Sequence, residues 1–129
     1  MGVLASLLCP DEQTELALEE EAAICSKHDI EFISLPVPDL GVPHDTEAFV
    51  AAVHHLARLV HDGSNVAVHC RQSVGRSGLL AVSIVVSLGT TLERAIERVS
   101  IARGLPVPET DEQSRWLRRN ERRLSEFVG

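Results

Sequence analysis

The sequence predicts an α/β fold: a mostly parallel central sheet flanked by helices on both faces. Two observations lead there. Short apolar runs rich in β-branched residues, Val3–Leu8, Glu31–Val37 and Asn65–His69, alternate with longer stretches bounded by helix start and stop residues. Strands separated by helices pair in parallel, because each crossover returns the chain in the same direction. At 129 residues, 44% of them hydrophobic, the chain is expected to form one domain over 1–129 with a sizeable core.

Each element has its own local signals. Val3–Leu8 reads as a buried first strand. Pro10-Asp11-Glu12 opens a helix, because proline fits a first turn and acids suit its positive end. That helix is expected to reach about Lys27, with Glu19-Glu20-Glu21 on a solvated face. Glu31–Val37 is the second strand, and Pro36, Pro38, Gly41 and Pro43 break the chain after it into a loop. Asp45 or Thr46 caps a second helix that stops near Asp62-Gly63. Asn65–His69 is the third strand, and Arg76–Leu88 a buried helix closed by Gly89. Thr91 caps Leu92–Arg103, and Gly104 stops it. Leu105–Pro108 is a connector, and Thr110–Phe127 is an amphipathic helix bearing Trp116, Leu117 and Leu124.

Net charge is −7, which disfavours general nucleic-acid binding. The charge is uneven. Residues 1–50 carry one Lys against eleven acids, and residues 51–129 carry eleven Arg against eight. The second half is therefore mildly basic, as suits an anionic substrate. The three cysteines, Cys9, Cys25 and Cys70, are an odd number without framework spacing, so reduced thiols and a cytoplasmic location are expected. Cys9 and Cys25 read as small buried hydrophobes. A resolving disulfide from either to Cys70 has no support in spacing.

No secretory signal is read at the start, and the longest apolar stretch, Leu79–Leu88, is far shorter than the ~20 residues of a membrane span. Gly2 and Ser6 match the myristoylation pattern only superficially, and a buried strand is the expected use of that segment.

The chemistry concentrates in His69-Cys70-Arg71-Gln72-Ser73-Val74-Gly75-Arg76-Ser77-Gly78. A strand that turns through a Gly/Ser-containing loop into a helix directs loop amides and the positive helix end at one spot. A cysteine at that spot has its thiol pKa lowered, and the thiolate is the nucleophile. An arginine closing the loop offers a planar fork of donors to two phosphate oxygens. Its place at a helix start, unfavourable for a cation, is explained by a bound anion.

This run resembles the signature of the cysteine-based protein-tyrosine phosphatases, in particular their small dual-specificity-like branch. The resemblance is strongest from about Phe32 to Trp116. It implies a protein-tyrosine-phosphatase-like fold and makes Cys70 the nucleophile and Arg76 the phosphate clamp. Residues 71–76 (Arg71, Gln72, Ser73, Val74, Gly75 and Arg76) wrap the phosphate. His69 orients the loop, and the Ser77 hydroxyl eases departure of the sulfur. Ser77 and His69 also have plain readings, as a helix-start serine and a core histidine. Ser73 departs from the family's usual glycine, which suits a tightly wrapped backbone. Similar phosphatases usually carry a further segment before the first strand seen here. A minimal version, a shortened chain and a partner covering the sheet edge are the alternatives.

A leaving oxygen needs a proton, so an acid must reach the pocket. Asp39 stands in the loop after the second strand, and such loops converge on the ligand in parallel sheets. It precedes Cys70 by 31 positions, a spacing similar to that of the family's acid loop. The alternative is an ordinary turn aspartate. Asp45 competes but reads as a helix cap. Glu109-Thr110-Asp111-Glu112-Gln113 resembles the family's late glutamine loop, with Gln113 as the water-positioning residue. Glu109 replaces the first glutamine, and a capping segment started by Thr110 is the favoured alternative. His54, His55 and His61 lack acidic or cysteine partners at ligand spacing, so no metal and no cofactor is expected. Arg115, Arg118, Arg119, Arg122 and Arg123 form a basic helix face, read as solvated, with a docking site for a phosphorylated or acidic partner as the lesser alternative.

The expectation is a phosphomonoester hydrolase working through a phosphocysteine intermediate, acting on phosphotyrosine or with dual specificity on phosphoproteins. A phosphoinositide or other polyanion is the alternative substrate, given Arg71 beside the nucleophile. A phosphate-binding module without turnover and a sulfur-transfer enzyme are the alternatives from other classes. Oligomeric state is not readable.

Overall fold

The computed structural model describes residues 2–7, 9, 25, 27, 29–38, 41–69 and 75–125. Among them three strands, β1 (Gly2–Ser6), β2 (Ile30–Ser34) and β3 (Asn65–His69), form a parallel sheet of order β2-β1-β3. The described helices are α1 (Thr46–His61), α2 (Gly75–Ser87), α3 (Leu92–Arg103) and α4 (Asp111–Ser125). The expected α/β class and parallel sheet are those of the molecule. Of the expected first helix, Cys25 and Lys27 are described and helical, and the rest lies outside the described residues. Asp29, left-handed at φ 57°, turns the chain from that helical segment into β2.

The register aligns the strand ends. Ser6 of β1 stands opposite both Ser34 of β2 and His69 of β3. All three carboxyl ends therefore open on one edge of the sheet. β2 ends at Ser34, sooner than expected, and Pro36, whose ring restricts the backbone, follows. Pairing goes on around it: Leu35 N donates to Ser6 O at 2.8 Å, and Val37 N to Leu7 O at 3.0 Å.

Side chains alternate across β1, and Val3, Ala5 and Leu7 enter the core with residues of all four helices. α2 is its centre and packs against α1, α3 and α4. Its residues 76–80 are all buried, as are Val82, Ser83, Ile84 and Val86. A helix buried on every side must be apolar on every side, which is how its sequence reads. The polar exceptions are Arg76, Ser77, Ser83 and Ser87. Ser83 Oγ donates back to Leu79 O at 2.8 Å. Ser87 Oγ is buried and has no hydrogen-bond partner among the described residues.

The caps fall where the side chains require them. Asp45, not Thr46, caps α1, accepting from Ala48 N at 3.1 Å. Thr91 Oγ1 accepts from Arg94 N, and Gly104 ends α3 in the left-handed conformation at φ 72°. Trp116 of α4 is 2% exposed, meets Phe49 edge-on at 5.3 Å, and donates Nε1–H to Thr46 Oγ1 at 3.3 Å. Each fully buried large side chain of this kind stabilises the fold by about 1.5–3 kcal/mol. Gly78 permits a close helix–connector approach, since a methyl there would sit 2.7 Å from Val107 Cγ1.

Candidate active site

β3 delivers His69 to the carboxyl edge of the sheet, and Cys70 comes next in sequence. α2 starts at Gly75, so the chain passes from strand to buried helix within five residues. Cys70, Arg71, Gln72, Ser73 and Val74 lie outside the described residues, as does Asp39. His69 and Gly75 are described by their backbone alone, at the end of β3 and the start of α2.

Arg76 and Ser77 occupy the first turn of α2, 1% and 2% exposed. A buried guanidinium requires acceptors. Arg76 Nη1 donates to Val37 O at 2.9 Å and approaches Leu7 O at 3.5 Å. Both carbonyls belong to chain just past the ends of β1 and β2. The positive charge is thus held at the open edge of the sheet, beside the positive end of α2. Buried cationic charge beside a helix N-terminus favours an anion there.

The loop after β2 is bounded by described residues. Gly41 N donates to Pro38 O at 2.9 Å. Prolines 36, 38 and 43 restrict the backbone on both sides. Cys9, Leu35, Pro36, Pro38, Pro43 and Phe49 line a cleft at this edge. Cys9 is only half-buried there, which departs from the expected core position. Cys25 is buried, as expected.

Gln113 is fully buried. Its Nε2 donates to Gly41 O at 3.0 Å, and its Oε1 accepts from Glu109 N at 3.1 Å. Thr110 Oγ1 accepts from Gln113 N, so this stretch caps α4, as the plainer of the two readings holds. The amide links α4 to Gly41, in the chain that follows β2. Nothing in the sequence signals that link, because its partner is a backbone carbonyl.

The remaining polar residues go separate ways. His54 pairs with Arg123 O and His55 with Glu31, each at 3.0 Å, and His61 is exposed at the end of α1. Arg118 pairs with Glu93 at 3.2 Å across exposed surface, a contact worth about 0–1 kcal/mol. Arg115, Arg119, Arg122 and Arg123 lie along α4.

No protein-family model matches the sequence, and none of the curated proteins is similar to it in sequence. Solved structures are similar in fold. Kinase associated phosphatase (KAP), crystallised with serine for its catalytic-site cysteine, superposes with a TM-score of 0.82 at 17% identity, covering 99% of this chain and 72% of that one. Tk-PTP in its active form gives 0.77 at 26% identity, covering 98% and 80%. DUSP15 gives 0.62 at 18% identity, covering 100% and 80%. The parallel sheet and the helices packed on it have the fold of the protein-tyrosine phosphatases, with small dual-specificity-like enzymes as structural relatives.

Proposed function

We propose that the protein is a cysteine-dependent phosphomonoester hydrolase of the protein-tyrosine/dual-specificity type, acting on phosphorylated proteins in the cytoplasm. One observation carries the reading. Arg76, six positions after Cys70, is buried in the first turn of α2 with its guanidinium directed to carbonyls at the strand ends. The similarity to Tk-PTP supports it further.

In the proposed reaction the Cys70 thiolate attacks phosphorus in line with the ester oxygen. A sulfur–phosphorus bond forms as the phosphorus–oxygen bond breaks. Arg76 and the amides of residues 71–76 hold the three equatorial oxygens while charge redistributes over them. Asp39 gives its proton to the departing oxygen. Water then attacks the phosphocysteine, Asp39 takes the proton, and the sulfur leaves as thiolate with inorganic phosphate released. Ser77 eases that departure through a hydrogen bond to sulfur, and His69 orients the loop. The mechanism invokes no metal and no cofactor.

The test is a panel of phosphotyrosine, phosphoserine and phosphothreonine peptides and phosphoinositides, with Cys70→Ser as control. Vanadate-sensitive release of phosphate from phosphotyrosine peptides, lost in the control, is expected. Preference for phosphoinositides would transfer the substrate assignment to the polyanion that Arg71 favours. Phosphate binding without turnover would leave only a binding module. A Cys70 persulfide formed from thiosulfate would replace hydrolysis with sulfur transfer.

A further inference from the structure

We infer that the groove between α1 and α4 is a docking site for an acidic, extended segment of a partner protein, held by the stripe Arg115, Arg119 and Arg123. The inference is independent of the phosphatase reading.

The charges of α4 divide by the side they face. Toward α3 they are satisfied within the fold: Arg118 Nη1 donates to Glu93 at 3.2 Å, and Glu121 Oε2 accepts from Leu92 N at 3.4 Å. Arg119 and Arg123, toward α1, are exposed, as is Arg115 one turn earlier. The side chains of these three have no hydrogen bond or ion pair among the described residues. Three and four residues from Arg119 stand Arg115, Trp116, Arg122 and Arg123, with no carboxylate among them. Like charges at i, i+4 work against a helix, so the stripe weakens α4 until an anion lies between its members.

The stripe borders a groove. Arg119 and Arg123 line a cavity of about 310 Å³ with Thr46, Trp116 and Asn120. Arg123 also lines an adjoining cavity of about 380 Å³, walled by Glu47 and His54 of α1. The other donors of the groove are already engaged. Trp116 Nε1 donates to Thr46 Oγ1 at 3.3 Å, Asn120 Nδ2 to Trp116 O at 2.8 Å, and His54 Nε2 pairs with Arg123 O at 3.0 Å. The arginines are thus the groups left to meet an anion. Glu47 is a carboxylate on the wall, and it pairs with neither arginine.

Spacing and charge select the occupant. Arginines four apart rise about 6 Å along the helix, so the three span about 12 Å. In an extended chain, alternate side chains point the same way about 6.6 Å apart. Acids at every second position of such a segment therefore match the stripe one to one, whereas a free phosphate would meet one pair and leave the third cation alone. A net charge of −7 and Glu47 on the wall disfavour a nucleic acid. A flat membrane surface cannot enter a groove walled by two helices.

The experiment is fluorescence anisotropy on the full chain. The probe is a labelled peptide in which glutamate alternates with serine over about nine residues. Saturable binding at low salt is expected, weaker at about 0.15 M salt. Arg119→Gln and Arg123→Gln should each weaken it by about 2- to 5-fold, as loss of one exposed ion pair does, and the double variant by about 10-fold. Arg118→Gln, whose partner is Glu93, should leave it unchanged. Thermal melts of the Arg119 and Arg123 variants should match or slightly exceed wild type, because like-charge repulsion is relieved. No saturation by about 1 mM peptide would overturn the inference. Equal weakening by Arg118→Gln would overturn it too, as attraction to diffuse charge. Equal binding of a peptide with its glutamates in one block would remove the extended segment. Tighter binding of single-stranded RNA or phosphatidylserine vesicles, lost in Arg119→Gln, would give the surface to that partner instead.

Discussion

The guanidinium of Arg76 donates to the carbonyl of Val37 at 2.9 Å, across 39 residues of sequence. One buried side chain therefore joins the helix behind the candidate phosphate loop to the segment that leads into Asp39. The proposed phosphate clamp is thereby tied to the backbone two residues before the proposed acid.

Replacing Arg76 tests both sides of that link. Arg76→Lys keeps the charge and loses the planar fork. It should lower kcat by a factor on the order of 10²–10³, as loss of a preorganised donor does. Arg76→Ala should also strand the Val37 carbonyl and lower stability by about 1–3 kcal/mol. Steady-state kinetics and denaturant melts of both variants check this. Near-normal turnover in Arg76→Lys would take the phosphate clamp away from this residue.

The Cys70 thiol should be alkylated as though ionised well below the ~8.5 of an ordinary cysteine. The measurement is the rate of iodoacetamide capture against pH, with Cys70→Ser subtracting Cys9 and Cys25. A midpoint at the ordinary value contradicts an activated nucleophile. Cys70→Ser itself should abolish turnover and retain oxyanion binding.

Gly78→Ala sets two effects against each other. Alanine favours a helix interior by roughly 1 kcal/mol over glycine. Its methyl, however, would meet Val107 Cγ1 at 2.7 Å in a packed core, where overpacking costs about 1–3 kcal/mol. Net destabilisation is expected, and Val107→Ala in the same chain should restore part of it. Thermal melts of the two singles and the double give the coupling. Additive losses would mean that the two groups do not press on each other.

Ser87 is buried, and its hydroxyl has no partner among the described residues. Ser87→Ala should raise stability by about 1 kcal/mol, because an unpaired buried hydroxyl costs more than a methyl. The melting temperature should rise by roughly 3–5 °C. A lower melting temperature would reveal a hydrogen bond to that oxygen.

Much of the molecule is legible in local residue choice. β-branched runs mark the strands, Asp45, Thr91 and Thr110 mark helix starts, and Gly104 marks a helix end. These signals are short-range, so they survive without tertiary information. The largely apolar character of α2, broken by Ser83 and Ser87, likewise announces a buried helix. The candidate loop is legible for the same reason: cysteine, arginine and the flanking strand and helix are contiguous.

Tertiary structure alone decided the rest. Strand order put β1 in the middle, so that the Leu7 carbonyl lies within 3.5 Å of Arg76. β2 ended at Ser34 while backbone pairing to β1 continued on either side of Pro36. Gln113 chose Gly41 across 72 residues. In each case the partner is a backbone carbonyl, and every residue has one. Side-chain identity carries no mark of which carbonyl a distant donor will find; only the packing of α2 and α4 against the sheet edge selects it.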